Sequence, residues 1–253
     1  MSAVAVRGLS IGWGDETLIE DITFDVAAGE IFAILGGSGS GKSTLLRYLV
    51  GLEQPTKGEI DVAGAGPPDL DRGMPPFGVM FQEGALFGAM TVLENTALPL
   101  ERWSGLGPQD INVIARSKLQ LVELEAAADK LPAELSGGMT KRVSIARAIA
   151  LDPKIVFLDE PQAGLDPVTA AELDDLIVTL ARMTQLTVVM VTHELSSILR
   201  IVDRCLMLDK ESGRVLAIGD PRELRKSDDP RVHDFFNPGL KGKDHSWRPP
   251  RTM

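Results

Sequence analysis

Short apolar runs alternate with segments of helical periodicity along most of the chain. Residues 31–35, 155–158 and 187–191 are almost wholly apolar, which is typical of strands that are buried on both faces. Apolar residues recur at helical spacing over residues 42–50 and 168–183, which predicts helices after two of these strands. Since strands that alternate with helices form parallel sheets covered on both faces, we predict an α/β fold with a mostly parallel core sheet.

Two regions depart from this alternation. Residues 3–35 read mainly as strands, because apolar Ile22, Phe24 and Val26 alternate with polar residues. Residues 85–150 form a mainly helical insertion in the α/β core, with helical periodicity over residues 108–128 and 136–150. We therefore expect a single domain over residues 1–236, with the helical subdomain inserted at about 85–150. A hairpin is expected from residues 204–208 and 214–218, and a C-terminal tail over residues 237–253.

Composition narrows the class of protein. The 253 residues include 26 Lys+Arg and 36 Asp+Glu, which gives a net charge of −10, and a single cysteine. An acidic chain argues against nucleic acid as a partner, because nucleic-acid binders usually carry a basic surface. No apolar run approaches the ~18–20 residues of a membrane span, and no signal peptide is visible. We expect a cytoplasmic protein that reaches a membrane only through a partner.

A glycine-rich segment between the first buried strand and the following helix matches the P-loop pattern G-x-x-x-x-G-K-[ST]. Glycines let the backbone wrap closely around an anion, and the helix N-terminus adds partial positive charge. We expect Lys42 to reach the β- and γ-phosphates of ATP and the Ser43 hydroxyl to ligate Mg²⁺. The predicted cofactor-binding residues of this segment are Gly36, Gly37, Ser38, Gly39, Ser40, Gly41, Lys42, Ser43 and Thr44. The alternative is a glycine-rich turn with a solvent-exposed lysine, which the flanking strand and helix disfavour.

Polar residues follow three of the predicted strands, where ligands bind in open α/β sheets. Asp159 suits the Mg²⁺ shell, directly or through water, and Glu160 suits a general base that polarises the attacking water. His193 follows the next strand, on the same sheet edge, and suits a contact with the γ-phosphate or the water. Gln82 carries an amide that suits a contact with Mg²⁺ or water. Each signal is weak alone and gains weight from the P-loop upstream.

A second glycine signal lies in the helical insertion. Ser136 is a good N-cap, and Gly137 and Gly138 expose backbone donors at the start of a helix. One nucleotide does not easily contact both this helix end and the P-loop within one compact chain. Two copies arranged head to tail solve the problem, because each nucleotide then lies between the P-loop of one copy and residues 136–138 of the other.

On the basis of these residues, the chain resembles the nucleotide-binding subunits of ABC transporters over essentially its whole length. The matching segments, in the family's order, are residues 36–43 (Walker A), Gln82 (Q-loop), 135–139 (signature), 155–160 (Walker B with its glutamate), 163–166 (D-loop) and His193 (switch histidine). The resemblance implies a P-loop NTPase fold with an antiparallel N-terminal β region and a homodimer that closes over two ATP–Mg²⁺. It also implies that Trp13 stacks on adenine.

Two details narrow the resemblance. Met139 replaces the glutamine that usually ends the signature, and residues 81–87 read Phe-Gln-Glu-Gly-Ala-Leu-Phe. Both are similar to the ATPases of Mla-type transporters, which move phospholipids in Gram-negative envelopes with MCE-domain proteins. This implies integral permease subunits as partners, with the chain on the cytoplasmic face of the inner membrane. We expect the apolar residues among 85–90 to form part of a groove for a permease helix.

Other functions remain open at this stage. Within transporters, an importer of another cargo such as an amino acid or an ion is an alternative, because the membrane subunit selects the cargo. A soluble ABC ATPase of DNA repair or translation is disfavoured by the acidic charge and by the lack of a long coiled-coil insertion. A small-molecule kinase would use the same P-loop but would not need the Ser-Gly-Gly helix start.

Overall fold

The computed structural model describes residues 2–13 and 16–238. Its strands are β1 (Ser2–Trp13), β2 (Glu16–Ala27), β3 (Ile31–Gly36), β4 (Lys57–Val62), β5 (Phe77–Met80), β6 (Ile155–Asp159), β7 (Thr187–Val191), β8 (Arg204–Asp209) and β9 (Arg214–Gly219). Its helices are α1 (Lys42–Leu49), α2 (Val92–Trp103), α3 (Pro108–Leu121), α4 (Gly137–Ala148), α5 (Pro167–Thr184), α6 (Leu195–Ile201), α7 (Pro221–Leu224) and α8 (Pro230–Phe236).

A six-stranded sheet forms the centre of the molecule, in the order β5-β6-β7-β3-β8-β9. All its pairings are parallel except that of β8 with β9. The side chains of β3, β6 and β7 are buried throughout, as their uninterrupted apolar sequences predict. The α/β class, the mostly parallel sheet and the C-terminal hairpin predicted from the sequence are therefore confirmed.

The N-terminal region forms a separate three-stranded antiparallel sheet in the order β2-β1-β4. Its inward side chains share one core with β3 and α1, and Phe24 stacks on Phe32 with ring centroids 5.5 Å apart. The helix that follows the P-loop is therefore packed against both sheets. Burial on both sides holds the start of α1 rigidly at the edge of the central sheet.

The insertion between β5 and β6 contains α2, α3 and α4, and it shares a core with the central sheet. Val92, Leu119 and Val143 from the helices pack in one buried cluster with Leu158 of β6. The helix predicted over residues 108–128 is shorter than expected. It ends at Leu121, because Glu123 adopts a left-handed conformation with φ of 62° and a 3₁₀ turn follows at Glu125–Ala127.

The helix α2 has clear end signals but an irregular apolar pattern, so periodicity did not predict its bounds. Thr91 and Glu94 form a reciprocal capping box at its N-terminus, but Pro99 interrupts its sequence pattern.

Among the described residues, no helix combines the length and apolarity needed to cross a bilayer. Of the tail predicted over residues 237–253, residues 239–253 lie outside the described residues.

Candidate functional site

The segment between β3 and α1 is shaped to surround an anion. Gly36 has a φ of 150°, and a Cβ there would lie 2.4 Å from Ser40 Oγ and 2.7 Å from the carbonyl oxygen of Leu208. Only glycine fits, since the backbone is so closely approached. Gly41 caps α1 without a side-chain hydrogen bond, so the first amide groups of the helix remain available to a ligand. The buried Ser40 Oγ has no hydrogen-bond partner among the described residues.

Lys42 begins α1 and turns back over this loop. Its Nζ donates to the carbonyl oxygens of Gly36 at 3.0 Å and Gly37 at 3.2 Å. Burial lowers the pKa of this ammonium group, and the negative charges of Glu160 and Asp159 oppose that effect. The lysine is therefore held over the cradle that would receive phosphate oxygens, beside two carboxylates.

Asp159 lies at the carboxyl end of β6, next to the start of α1. Its Oδ1 accepts a hydrogen bond of 3.3 Å from the Ser43 hydroxyl. Burial raises the pKa of this carboxyl, while the Ser43 hydrogen bond and the charges of Lys42 and Lys141 lower it. A hydroxyl oxygen beside a carboxylate oxygen suits Mg²⁺, which takes few protein ligands and keeps water or substrate phosphates as the others. The described residues contain no cluster of three acidic, histidine or cysteine side chains that would make an all-protein metal cage.

Glu160 and His193 come from adjacent strands and meet at the same edge of the sheet. Glu160 adopts a left-handed conformation with φ of 47°, and its N–H donates to the Val191 carbonyl at 2.9 Å. Nδ1 of His193 lies 2.9 Å from both carboxylate oxygens and is hydrogen-bonded to Oε1. Oε2 is buried and accepts no hydrogen bond from the described residues, which leaves an acceptor free for a water molecule.

Gln82 follows β5 and is exposed. Its main-chain carbonyl accepts a hydrogen bond from Lys141 of α4, which also donates to the Glu160 carbonyl at 3.4 Å. Sequence reasoning missed Lys141. A charged residue three positions after the Ser-Gly-Gly segment suggests a solvent-exposed side chain, whereas Lys141 is 6% exposed.

The second glycine signal does begin a helix, as predicted. Ser136 caps α4 by accepting a hydrogen bond from the Met139 N–H at 3.3 Å. Ser136 and Gly137 are exposed, whereas Gly138 packs closely on α5: a Cβ at Gly138 would lie 2.6 Å from Thr169 Cγ2. Within the described residues, no hydrogen bond or ion pair joins residues 136–138 to residues 36–44. The start of α4 instead lies against Leu165 and Thr169.

A buried polar network, also missed from the sequence, connects the two loops that carry Glu160 and His193. Gln162 Nε2 donates to Asp174 Oδ1 at 2.7 Å, and Thr192 Oγ1 donates to Gln162 Oε1 at 3.3 Å. All three side chains are at most 2% exposed. Because Gln162 lies two residues after Glu160 and Thr192 one residue before His193, the network fixes these loops relative to each other.

The side chain of Trp13 lies outside the described residues, so its stacking on adenine stays a prediction.

An apolar groove of about 580 Å³ lies beside the loop that follows β5. Its walls include Leu52, Met74, Phe81, Trp103 and Leu151. Residues 85–90 do not line this groove, and their contact with a permease helix stays a prediction.

Comparisons with known proteins agree with this geometry. The family model described as ABC transporter matches residues 19–163. A probable ribonucleotide transport ATP-binding protein, Mkl of Mycobacterium leprae, is 41% identical over 93% of this chain and 69% of its own length. The methionine import ATP-binding protein MetN of Cupriavidus metallidurans is 40% identical over 85% and 66%. The intermembrane phospholipid transport system ATP-binding protein MlaF of Escherichia coli is 37% identical over 92% and 88%.

Similarity extends to solved structures. A dimeric ATP-binding cassette in a post-hydrolysis state, bound to ADP and Pi, has a TM-score of 0.75 and 31% identity. The match covers 86% of this chain and 98% of that chain. The chain therefore belongs to the ABC transporter family, as an ATP-hydrolysing cassette of that family.

Proposed function

We propose that this chain is the ATPase subunit of a transporter that moves phospholipids between the membranes of a Gram-negative envelope. One observation carries the choice of cargo. The similarity to the phospholipid transport protein MlaF covers 92% of this chain and 88% of that protein. By contrast, this chain spans about two thirds of the lengths of the ribonucleotide and methionine relatives. The alternative is an importer of another cargo, which the higher identities to those two relatives favour.

In this proposal the P-loop holds ATP and its neighbours carry out hydrolysis. Lys42 transfers its hydrogen bonds from the Gly36 and Gly37 carbonyls to the β- and γ-phosphates. Ser43 and Asp159 hold Mg²⁺, with the Gln82 amide at its edge. The metal would neutralise charge that develops on the phosphates. These roles are supported by the donor set and by the open amide groups at the start of α1.

Glu160 acts on the attacking water in this scheme. Glu160 directly follows Asp159 in the chain, and its carboxylate accepts a hydrogen bond from the His193 ring. Releasing that contact frees Glu160 to take up a water molecule and frees His193 to contact the γ-phosphate. Positioned proton transfer of this kind contributes about 10²–10⁴-fold to a rate.

The complete site needs two copies of the chain. Among the described residues, Ser136 and Gly137 are exposed at the start of α4, next to Leu165 and Thr169, and make no hydrogen bond to the P-loop of the same copy. A head-to-tail homodimer brings this helix end over the nucleotide of the partner copy. The γ-phosphate then holds the halves together, and hydrolysis removes the contacts that keep them closed.

The apolar groove beside Phe81 and Trp103 is the proposed contact with a permease helix. Apolar side chains on both walls suit a helix that inserts its own apolar face, and the groove adjoins the loop that carries Gln82. The permease would hold the chain on the cytoplasmic face of the inner membrane. An MCE-domain protein would complete the complex, and nucleic acid would play no part.

Purification of the complex from its native membrane tests the proposal. The expected result is co-purification with permease and MCE-domain subunits, with phospholipid identified by mass spectrometry. ATP hydrolysis should proceed without any acceptor molecule. Ribosomes or nucleic acid in the purified complex, or an amino-acid-binding subunit in place of the MCE-domain protein, would refute the phospholipid assignment.

A further inference from the structure

One buried lysine of α4 bridges two loops of the site. Lys141 is 6% exposed, and its Nζ donates to the main-chain carbonyls of Gln82 and Glu160. The two carbonyls belong to loops at the ends of β5 and β6, which are neighbours in the central sheet. A single side chain of the helical insertion is therefore bonded to both loops that follow these strands.

Lys141 is the first of three donors along one face of α4. Ser144 Oγ lies within hydrogen-bonding distance of the Gly84 carbonyl at 3.1 Å and of the Thr140 carbonyl in its own helix at 2.8 Å. Arg147 donates to the carbonyls of Gly84 at 2.7 Å and Ala85 at 2.8 Å. Positions 141, 144 and 147 are separated by three residues each, so they lie near one another on the helix surface. All three fix the loop after β5 to α4, but only Lys141 also reaches Glu160.

The backbone of Glu160 needs such support. Its φ of 47° is unfavourable for a residue with a Cβ, and three hydrogen bonds hold it there. The N–H donates to Val191 at 2.9 Å, and the carbonyl accepts from the Ala163 N–H at 3.1 Å and from Lys141 at 3.4 Å. Of these three, only the Lys141 bond links Glu160 to α4. Burial of the Lys141 ammonium is itself costly and lowers its pKa, while Glu83, Asp159 and Glu160 oppose the shift. Lys118, the other buried lysine of this insertion, instead pairs with a carboxylate, that of Asp152.

We propose that Lys141 is a positioning residue for ATP hydrolysis, which sets the backbone of Glu160 relative to the helix that begins at Ser136–Gly138. In the homodimer of the proposed function, on which this inference rests, that helix start faces the nucleotide of the partner copy. A movement of α4 is then transmitted to the Glu160 loop by Lys141, the fifth residue of the helix. Contact with one nucleotide would thereby adjust the base that acts on the other.

The experiment measures ATP hydrolysis by the full-length chain and its Lys141→Met variant. Met keeps most of the side-chain length but cannot donate to either carbonyl. We expect kcat to fall by about tenfold or more, because small misplacements of a catalytic group have effects of this size. We expect KM for ATP to change by less than about threefold, since the P-loop is untouched. Lys141→Arg, which retains a charged donor, should recover part of the lost kcat.

Two further variants separate positioning from folding. Lys118→Met removes a buried ammonium of the same insertion without touching the site, so it should lower the melting temperature and leave kcat per folded molecule unchanged. Ser144→Ala removes a bond to the Gly84 carbonyl but none to Glu160, so its kcat should stay within about threefold of wild type. The melting temperature and the fraction of nucleotide-binding protein are recorded for every variant.

The kcat values of these variants decide between positioning by Lys141 and a general loss of stability. An unchanged kcat in Lys141→Met would overturn the inference, and so would an equal loss in Ser144→Ala or Lys118→Met. A loss of kcat in Lys141→Met that is fully explained by unfolded protein would also overturn it. If the wild-type chain neither hydrolyses ATP nor forms an ATP-dependent dimer, the proposed function fails instead, whatever the Lys141 variants do.

Discussion

His193 and Glu160 are in direct contact, although 33 residues separate them in the chain. Nδ1 of the histidine lies 2.9 Å from each oxygen of the carboxylate, at the carboxyl ends of two adjacent parallel strands. The histidine ring is largely exposed and the carboxylate is buried. The histidine ring therefore lies on the solvent side of the Glu160 carboxylate.

The first prediction concerns the proposed base. Glu160→Gln keeps the size of the side chain and a hydrogen-bonding oxygen but removes the negative charge. We expect ATP binding to persist while kcat falls by about 10²–10⁴-fold, and the ATP-bound dimer to accumulate in size-exclusion chromatography. Hydrolysis at the wild-type rate would show that Glu160 is not the base.

The second prediction concerns the phosphate cradle. Lys42→Ala removes the ammonium group that lies over the Gly36 and Gly37 carbonyls. Since a hydrogen bond to a charged group contributes about 1.5–3 kcal/mol, the Kd for ATP should rise by about 10–100-fold in isothermal titration calorimetry. Lys210, whose ammonium lies beside Gly39, gives the matched control. An equal rise in Lys210→Ala would mean that positive charge, rather than the Lys42 contact, determines affinity.

A third prediction tests the contact between β5 and α4. A Cβ added to Gly78 would lie 1.9 Å from the carbonyl oxygen of Ala148, so Gly78→Ala forces strand and helix apart. Overpacking of this kind costs about 1–3 kcal/mol, which chemical denaturation measures as a lower free energy of unfolding. A Cβ at Gly88 meets nothing within 4 Å, and Gly88→Ala should stay within about 0.5 kcal/mol of wild type. Equal stability of both variants would refute the close packing.

The fourth prediction uses the buried Asp174. Burial raises the pKa of this carboxyl, against the opposing effects of the Gln162 and Ser197 hydrogen bonds. The folded chain therefore holds this proton more tightly than the unfolded chain does. As the pH rises through the unfolded pKa toward the raised folded pKa, this residue lowers the stability of the wild type.

Asp174→Asn removes that titration while keeping an oxygen that accepts from Gln162. The melting temperature of the variant, relative to wild type, should therefore increase as the pH rises from about 3.8, the ordinary value for an aspartate, toward neutrality. Asp175→Asn, an adjacent and exposed position of the same helix, controls for the loss of one charge. A difference between Asp174→Asn and wild type that is constant over this range would contradict the prediction.

Much of the fold and site was predictable because it depends on local sequence. The buried strands are continuous apolar runs, and Gly36 and Lys42 occur in a strand–loop–helix context that fixes the cradle. Asp159 and His193 were placed on one edge because parallel strands end on the same side of a sheet. Their direct neighbourhood, including the His193–Glu160 contact, follows from the strand order β6-β7.

The remaining features depend on contacts between distant segments, which one sequence does not specify. The Lys141 bond to the Gln82 carbonyl joins residues 59 positions apart, and a lysine on a helix is usually solvated. The Gln162–Asp174 hydrogen bond stabilises the loop that follows Glu160 because both side chains are buried, and the sequence does not show that burial. The apolar groove is assembled from several loops and helices, so no single apolar segment of the sequence indicates it.

The central claim is that each nucleotide is bound by two copies of the chain, and mixing two inactive variants tests it most directly. Lys42→Ala disables the P-loop. Gly137→Glu places a negative charge at the exposed start of α4, where a carboxylate is compatible with the helix but repels a phosphate. In a mixed dimer one site carries both lesions, and the other joins an intact P-loop to an intact helix start.

The measurement is the ATPase rate of a 1:1 mixture that is allowed to exchange subunits, compared with each variant alone. Each variant alone should be nearly inactive. The mixture should recover up to about a quarter of the wild-type rate per chain, because about half of the dimers are mixed and each of these has one intact site of two. High activity of Gly137→Glu alone, or a mixture no more active than its parts, would contradict the shared site.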